Sequence, residues 1–519
     1  MPIFLLCKPP SDRHFSTCVS RVIFNSRKLA TFLRVALVHT KSIHLSTSSL
    51  LSLLDEIPEL ARLDIRPSSL QRIRSLPGVE NANLVAAIVK LQGRARVKFG
   101  PGLWLGTEQG ISQSTIRCVA NYKARLLGPG LAYDLCGGLG GDSMEIAKRG
   151  PLISIESSEQ VAAMAAVNLI LDSRCDALSG RNANYSGSSA KNTVVICSDV
   201  TQFELPLGAA FHIDPDRRPH GPNYCNKNSL YSLAPTFAKT RRVLLTQTRR
   251  CHPEYYSPPL SFIYKLAKRS NSWVAKFAPT ASFPIEKESR ALLLSSHRQW
   301  ISFDGEVREQ TLIGGNALAV ANAQEGGRSA VKVLGASTFA QFSASRGTVE
   351  KLRLLDRDAP ETTAPRTYVF DLDPALRAAG LSSAFASKFD WQNLGGAAGF
   401  WTGDNLPFEE YNFVQCFQTL WHGQVDLSRL KRFLKQRGLL LHAVKVRGIN
   451  IDPAYVLHRL RGDIIKTKTD ALPLNLDLSP KHHPCENLER KNFLLIGRNQ
   501  RRAFAVVAEK VIPTAINTP

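Results

Sequence analysis

The chain carries a glycine-rich loop, Asp134-Leu135-Cys136-Gly137-Gly138-Leu139-Gly140-Gly141-Asp142, between an apolar run and a helix-like segment. Leu131 to Cys136 predicts a strand, and Asp142 to Arg149 predicts a helix. Because glycine has no Cβ and tolerates positive φ, such a loop lets the backbone approach a ligand closely. A dinucleotide fingerprint requires G-x-G-x-x-G, but Ser143 stands in place of the last glycine. Asp142 would also repel a pyrophosphate, so the sequence argues against a dinucleotide-dependent dehydrogenase.

Short apolar runs alternate with helical patterns on both sides of this loop, which predicts an α/β fold around a Rossmann-like parallel sheet. The further strands predicted near the loop are Pro151 to Ile155, Thr193 to Cys197, Ala209 to Ile213, Arg241 to Thr246, Ser272 to Phe277 and Gln299 to Phe303. A helix is expected from Gln160 to Leu171, followed by a polar surface insertion from Asp172 to Asn192.

Carboxylates follow three of these strands. Glu156 ends the second strand, 22 positions after Asp134, where a carboxylate can accept both hydroxyls of a ribose. Asp199 is placed to accept from an adenine amino group, and Asp214-Pro215 follows a strand at the ligand-binding edge of the sheet. Each acid alone could instead cap a helix. Their order beside the loop favours S-adenosylmethionine, a nucleoside without phosphate whose ammonium suits carboxylates.

The chain divides by composition into four parts. Residues 1–45 carry seven Lys or Arg against one acid, Asp12, which predicts a disordered basic extension, with an organellar transit peptide as the alternative. Residues 46–128 predict a helical cap with helices at Asn83 to Val97 and Gln113 to Leu127. An α/β domain then spans 129–355, and residues 356–366 predict a linker. A smaller α/β domain spans 366–512, with a helix from Ala375 to Phe389.

Composition also limits the partners. The chain holds 66 basic and 43 acidic residues for a net charge of +23, which favours a polyanion such as nucleic acid, unless the protein is merely basic. The sequence contains no run of about 18 or more apolar residues, so we expect no membrane span. The ten cysteines include no C-x-x-C pair, so we expect no zinc ribbon and reduced thiols in the cytoplasm. The isolated cluster His482-His483-Pro484-Cys485 does not predict a metal site.

From about residue 48, the chain resembles a bacterial family that joins a class I S-adenosylmethionine-dependent methyltransferase domain to a C-terminal THUMP-like domain. The resemblance covers about nine-tenths of the chain in unbroken order. The residues that carry it are Ala95–Phe99, Gln113–Thr115, Tyr122–Arg125, Asp134–Asp142, Ile213–Arg218, Trp300–Glu306, Phe370–Pro374, Gly380, Thr402–Asp404 and Val444–Pro453.

The resemblance implies a methyltransferase whose cofactor S-adenosyl-L-methionine is bound by one set of residues: Asp134, Cys136, Gly138, Gly140, Asp142, Glu156 and Asp199. Cys136 stands where many members have the first glycine of the loop. At the acceptor site, the turn Asp214-Pro215-Asp216-Arg217-Arg218 departs from the D-P-P-Y-like turn of enzymes that methylate base amino groups. We expect Asp214, with Pro215, to orient the acceptor and Arg217 to stack on a base or hold a phosphate, unless the arginines are only a basic surface pair.

THUMP domains accompany enzymes that modify transfer RNA, so the resemblance implies an RNA substrate, either tRNA or rRNA. Lys445 and Arg447 lie two positions apart on a predicted strand and are the candidate RNA-binding residues, although a solvated surface explains them equally well. A DNA or protein methyltransferase and a non-catalytic RNA-binding scaffold are the alternatives. The residues that count against the scaffold are the intact Asp134, Gly138, Gly140 and Glu156, whereas the altered turn at Asp214 supports it.

Overall fold

The computed structural model describes residues 4–7, 82–178, 193–217, 252–283, 287–355, 362–396, 399–407, 410–461, 491–499 and 502–512. The chain forms two compact units: Met1–Arg328 with Val333–Phe339, and Ser329–Lys332 with Ala340–Pro519. This division comes ahead of the linker predicted at residues 356–366. Residues 340–355 fall in the second unit because Phe342 packs there against Phe385, with ring centroids 5.2 Å apart.

The described part of the first unit has three helices between residues 82 and 126: α1 (Ala82–Phe99), α2 (Glu108–Gln113) and α3 (Arg117–Leu126). The single helix expected from Gln113 to Leu127 was wrong at its start. Ser114 ends α2 with ψ 145°, and Ile116, at the N-terminus of α3, has ψ 139°. Thr115 therefore lies in a short extended segment between two helices, which matters for the site below.

The larger sheet has the order β1-β4-β3-β2-β5-β6-β8-β7-β9-β10, and its strands β1 to β8 belong to the first unit. Every pair of neighbours from β1 to β6 is parallel, whereas β8 is antiparallel to both β6 and β7. The strands are β1 (Phe4–Cys7), β2 (Ala132–Leu135), β3 (Leu152–Glu156), β4 (Thr193–Cys197), β5 (Ala210–Ile213), β6 (Ser272–Phe277), β7 (His297–Phe303), β8 (Glu306–Gly315), β9 (Arg328–Val333) and β10 (Phe339–Ala344).

This sheet confirms the expected mixed α/β architecture with a large parallel sheet. Strand β1 belongs to the segment 1–45 that was predicted to be disordered, and its four residues pair with β4. The predicted strand Arg241 to Thr246 lies outside the described residues. Asp304 and Gly305, with φ 52° and 73°, form the hairpin turn between β7 and β8.

The described residues of this unit form five further α-helices: α4 (Gly141–Arg149), α5 (Glu159–Leu178), α6 (Leu260–Ala267), α7 (Lys287–Leu294) and α8 (Asn316–Val320). The start of the predicted polar insertion was wrong, because α5 continues to Leu178. A core that includes Phe211, Trp273 and Phe277 packs on one face of the sheet, with Ile263 of α6 and Leu292 of α7 buried against it.

The strand order places a ligand-binding crevice between β2 and β5. The chain proceeds outward in one direction through β3 and β4, and in the opposite direction from β5 to β6. At such a switch point, the connections after the two central strands diverge and leave a crevice at the carboxyl ends of the strands. The glycine loop follows β2 and Asp214 follows β5, so both lie at this crevice.

The second unit contains a seven-stranded sheet with the order β12-β13-β11-β14-β17-β16-β15, in which only β15 and β16 are parallel. Its strands are β11 (Tyr368–Leu372), β12 (Gln392–Leu394), β13 (Phe400–Gly403), β14 (Val414–Gln424), β15 (Leu441–Val446), β16 (Asn492–Asn499) and β17 (Arg502–Val511). Its helices are α9 (Arg346–Leu355), α10 (Pro374–Ala378), α11 (Ser382–Ser387), α12 (Leu427–Gln436) and α13 (Pro453–Arg461).

One helix of the second unit was predicted wrongly. The expected helix from Ala375 to Phe389 is divided into α10 and α11, because Gly380 adopts φ 66° and ends the first helical segment. Within the described residues, no helix is both long and apolar enough to cross a bilayer.

Candidate active site

A cavity of about 550 Å³ lies at the carboxyl ends of β2, β3, β4 and β5. Its walls come from the glycine loop after β2, from the turns after the next three strands, and from the segment of α2 and its flanks between Thr107 and Thr115. Drug-sized and cofactor-sized ligands occupy cavities of about 300–1,000 Å³. The cavity is therefore large enough for a nucleoside cofactor.

Nine of the ten site residues predicted in the first unit line this cavity: Asp134, Cys136, Gly138, Asp142, Glu156, Asp199, Asp214, Pro215 and Arg217. The tenth, Gly140, caps the N-terminus of α4 with φ 88°, and a Cβ there would point toward Ala165 of α5. Arg218 lies outside the described residues. The structure thus brings together residues that are up to 83 positions apart in the sequence, from Asp134 to Arg217.

The glycine loop adopts a tightly turned backbone. Cys136 has φ 65°, a left-handed conformation that favours glycine, which explains why glycine suits this position in related loops. Gly138 has φ 55°, and a Cβ built on it would meet no atom within 4 Å. Burial, and then the nearby carboxylate of Glu156, raise the pKa of the Cys136 thiol well above its ordinary value. Cys136 is thus a shape-forming residue and a poor nucleophile.

Glu156 and Asp199 present carboxylates from the ends of neighbouring strands. Glu156 Oε2 accepts from the Gly138 backbone N–H at 3.0 Å, and its Oε1 accepts from the Ser158 backbone N–H at 2.9 Å. Asp199 Oδ1 accepts from the Thr201 backbone N–H and from Thr201 Oγ1, both at 2.8 Å. Because a carboxylate has about four lone-pair positions, each side chain is held in place and can still accept from a ligand.

Asp134 is fixed by two buried partners. Its carboxylate accepts from Ser143 Oγ, and Oδ1 lies 2.8 Å from His212 Nδ1. His212 Nε2 lies 3.3 Å from Lys123 Nζ, which can only donate. His212 therefore donates from Nδ1 to Asp134 and accepts at Nε2 from Lys123.

Lys123 is a buried cation beneath the glycine loop, with 1% of its side chain exposed. Its Nζ lies 2.8 Å from Asp142 Oδ1 and 3.1 Å from Glu309 Oε1. Thr115 Oγ1 donates to the other Asp142 oxygen at 2.7 Å. Although burial raises the pKa of Asp142, Lys123 outweighs this effect and holds it below its ordinary value. Asp142 is therefore an internally paired carboxylate at the edge of the cavity.

Asp214 is paired with a lysine that the sequence analysis did not single out. Lys276 Nζ, from β6, lies 2.5 Å from Asp214 Oδ2 and donates to Thr115 Oγ1 at 2.9 Å. The Asp214 side chain is 28% exposed, and its Oδ1 has no partner among the described residues. One oxygen of Asp214 is thus anchored while the other is available to a ligand.

The cavity lining is strongly acidic. Six carboxylates face it, with Arg217 as the one Lys or Arg side chain among the described lining residues: Asp134, Asp142, Glu156, Asp199, Asp214 and Asp216. A concave site lined by charges of one sign focuses its field on a ligand of the opposite sign. The lining therefore suits a cationic ligand and disfavours a pyrophosphate, as the glycine loop predicted.

Lys445 and Arg447 lie in the second unit, where they share one buried acid. Lys445 Nζ lies 2.8 Å from Asp371 Oδ2, and Arg447 Nη2 lies 3.0 Å from the same oxygen. Arg377 Nη1 contacts the other oxygen at 3.1 Å. Burial raises the pKa of Asp371, but these three cations together hold it below its ordinary value. One carboxylate cannot neutralise three cations, so the cluster keeps a net positive charge.

The sequence analysis assigned no site role to the buried residues that hold the carboxylates of the cavity in place: Thr115, Lys123, His212, Lys276 and Glu309. A lysine within an otherwise apolar strand, as at Lys276, is the one local signal that could have drawn attention to this layer. Among the described residues, no group of three or more His, Cys, Asp or Glu side chains could hold a metal ion. The cluster at residues 482–485 lies outside that part of the chain.

Replacement of Lys123 by methionine should destabilise the protein by about 3–5 kcal/mol, because it leaves the buried carboxylates of Asp142 and Glu309 without their cation. In the wild type, the depressed pKa of Asp142 contributes stability above its unfolded-state pKa, and this contribution is lost as the pH falls. In the variant, burial favours the protonated carboxyl group, so the deficit should shrink between pH 7 and pH 4. Denaturant unfolding at several pH values measures both effects.

Arg94→Met is the matched control, since it breaks an exposed ion pair with Glu108 whose side chains are 67% and 73% exposed. It should cost less than about 1 kcal/mol at any pH. Equal losses in the two variants would contradict the supporting role given to Lys123.

The chain matches no protein-family model and no curated protein. Among solved structures, it is similar to a "putative methyltransferase from Porphyromonas gingivalis W83", with a TM-score of 0.56 and 16% identity over 95% of this chain and 100% of that one. It also matches a type I restriction-modification methyltransferase subunit from Streptococcus thermophilus, with a TM-score of 0.28 and 12% identity over 64% and 75% of the two chains. The second likeness is too low to carry an argument, and the first shows a shared fold.

Proposed function

We propose that this chain is an S-adenosylmethionine-dependent methyltransferase that acts on RNA. One observation carries the proposal: the glycine loop, Glu156, Asp199 and Asp214 line a single acidic cavity at the switch point of a doubly wound sheet. S-adenosylmethionine carries a sulfonium and an ammonium against one carboxylate, so its net charge is complementary to this lining. A nucleotide-dependent dehydrogenase would need to place phosphates among the same acids.

The side chains fit the parts of this cofactor. Glu156 would accept the ribose hydroxyls, Asp199 would accept the adenine amino group, and the open space at Gly138 admits a ligand close to the backbone. Asp142 is paired with Lys123 and Thr115, so we assign it to holding the loop rather than to direct contact with the ammonium. When bound, S-adenosylmethionine supplies a methyl group activated by a sulfonium.

Asp214 is the residue that we assign to the methyl acceptor. Lys276 anchors its Oδ2, which fixes the direction of the free Oδ1 at the carboxyl end of β5. A carboxylate held in this way can accept a hydrogen bond from an amino or ring N–H and align the acceptor for in-line transfer. Buried Pro215 stiffens the turn, and Arg217 offers a guanidinium that can stack on a base or hold a phosphate.

Charge supports RNA as the substrate. The net charge of +23 favours a polyanion. The second unit, which we propose to be the THUMP-like RNA-binding part, carries the net positive cluster of Lys445, Arg447 and Arg377 around Asp371. We propose that this cluster contacts the RNA backbone while the first unit transfers the methyl group, and that the substrate is tRNA or rRNA in the cytoplasm.

Gly138→Val should abolish binding of S-adenosylhomocysteine, because the new side chain would enter the open space beside the loop. At a hundredfold excess over its dissociation constant, the ligand should stabilise the wild type by about 2.7 kcal/mol through mass action. Thermal unfolding with and without the ligand measures this gain, and the variant should show none.

Gly128→Val is the matched control. Gly128 has φ 73° and nothing within 4 Å of a built Cβ, so valine should meet a similar backbone penalty there, but the residue does not line the cavity. The control should keep the ligand-induced gain. Equal stabilisation of the Gly138 variant and the wild type would overturn the assignment of the loop as the cofactor site.

Asp214→Ala should lower the methyl-transfer rate about 100-fold or more, the scale of a lost near-attack alignment. Cofactor affinity should change little, because the ribose and adenine contacts belong to other residues. Lys276 keeps Thr115 as a partner in the variant, so the fold should survive. Single-turnover kinetics with RNA, alongside calorimetric titration of the cofactor, separate the two effects.

Asp216→Ala tests the register of the turn. The backbone N–H and carbonyl of Asp216 both pair with Ser257, at 2.9 Å each, and alanine preserves both hydrogen bonds. We assign the Asp216 side chain no role in orienting the acceptor, so this variant should keep most of the transfer rate. An essential Asp216 beside a dispensable Asp214 would show that the acceptor contact was assigned to the wrong residue.

A further inference from the structure

A second cavity, of about 610 Å³, adjoins the first. The two cavities share four lining residues, Gln113, Ser114, Thr115 and Arg217. The remaining walls of the second cavity come from the end of α1, the start of α3 and the β7–β8 hairpin. Lys276 lines the second cavity while its partner Asp214 lines the first, so their ion pair lies at the wall between them.

The charge of the second lining is opposite to that of the first. Six cationic side chains face this cavity: Arg96, Lys98, Arg117, Arg217, Lys276 and Arg308. The acidic side chains are four: Glu145, Asp304, Glu306 and Glu309. Ion pairs involve members of both sets: Arg117 pairs with Glu145, Lys276 with Asp214, and Arg308 Nη1 with Glu306 at 2.8 Å. Glu309 shares Lys123 with Asp142. Cations still outnumber acids among the lining residues by six to four.

Lys98 is the clearest uncompensated cation in this group. Its Nζ donates to the Ser114 carbonyl at 2.8 Å and lies 3.5 Å from the Ser112 carbonyl, and no carboxylate pairs with it among the described residues. An ammonium has three N–H donors, so at least one remains for a ligand. Burial, and then the charges of Lys276 and Arg308, lower the pKa of Lys98, and the more weakly acting carboxylate of Glu309 opposes them.

An aromatic ring lies beside these cations. Phe303, at the end of β7, lines the cavity and is half-buried, and the Arg308 guanidinium carbon lies 6.0 Å from its ring centroid. Aromatic rings and guanidinium planes are the surfaces on which proteins stack unpaired bases. Cations together with a half-buried ring that lines the cavity match a nucleotide better than they match a simple anion.

We propose that the second cavity is a nucleotide subsite that binds a phosphate of the methyl acceptor through Lys98 and Arg308, with the adjoining base on Phe303. The proposal rests on the proposed function for the identity of the acceptor. Its anion-binding part stands on the geometry alone. The subsite would deliver the acceptor past Thr115 and Arg217, the residues shared with the cofactor cavity, toward the free oxygen of Asp214.

The test is direct binding of a labelled single-stranded RNA of about 12 nucleotides, a length within the range bound by single-strand sites. The full chain is used without cofactor, so the result does not depend on methyl transfer. The double variant Lys98→Gln/Arg308→Gln should weaken binding about tenfold or more, the scale of losing one charge-assisted hydrogen bond. The slope of log affinity against log salt should become shallower by about 0.7, because one phosphate is no longer neutralised.

Arg94→Gln removes a cation from the same helix outside both cavities, and S-adenosylhomocysteine affinity serves as the folding control. The control variant should keep the RNA affinity and the salt slope. Competition by uridine monophosphate would show that a free nucleotide fills the subsite, and competition by RNA alone would show that the strand is needed. Unchanged affinity in the double variant, an equal loss in the control, or no RNA binding by the wild type would overturn the proposal.

Discussion

The site depends on one buried cation. The Lys123 ammonium, carried by α3, contacts Asp142 at the start of α4, Glu309 in β8 and His212 in β5. It therefore joins α3 to the glycine loop, and also to strands β5 and β8, which lie on the other side of the switch point from β3 and β4. Removing three or four such groups from water costs several kcal/mol per ion, which the mutual attraction offsets only when the geometry is good. A network of this kind fixes the loop in one arrangement, and His212 extends it to Asp134.

The two adjoining cavities beside this network differ in the charge of their lining residues. The first is lined by six carboxylates and the second by a majority of cations, with Thr115, Lys276 and Asp214 at the boundary. A positively charged cofactor and a negatively charged acceptor are each attracted to one side and repelled from the other. The Lys276–Asp214 pair lies where the two fields meet. Its anchored carboxylate leaves one oxygen free, which the proposed function assigns to the methyl acceptor. Under the proposed function, the field of each cavity therefore favours a different one of the two substrates.

Much of the first cavity could be predicted from the sequence because its signals are local. A glycine loop after an apolar run, and acids directly after strands, identify residues that the parallel sheet brings to one edge; nine of the ten predicted residues line the cavity. The supporting network could not be predicted, since Lys123 lies 89 positions from His212 and 186 from Glu309. The extended segment at Thr115 was hidden in a continuous helical pattern. In the second unit, Gly380 divides what was expected as one helix, and the pairing of Lys445 and Arg447 with Asp371 depends on a contact 74 to 76 positions away.

The measurement that tests this account most directly is transfer of a labelled methyl group from S-adenosylmethionine to fractionated cellular RNA, DNA and protein by the purified full chain. The account predicts label in RNA, in a fraction that is competed by excess unlabelled tRNA or rRNA, and loss of that label as salt is raised. Label confined to protein or DNA, or no label in any fraction while the protein binds S-adenosylhomocysteine, would contradict it.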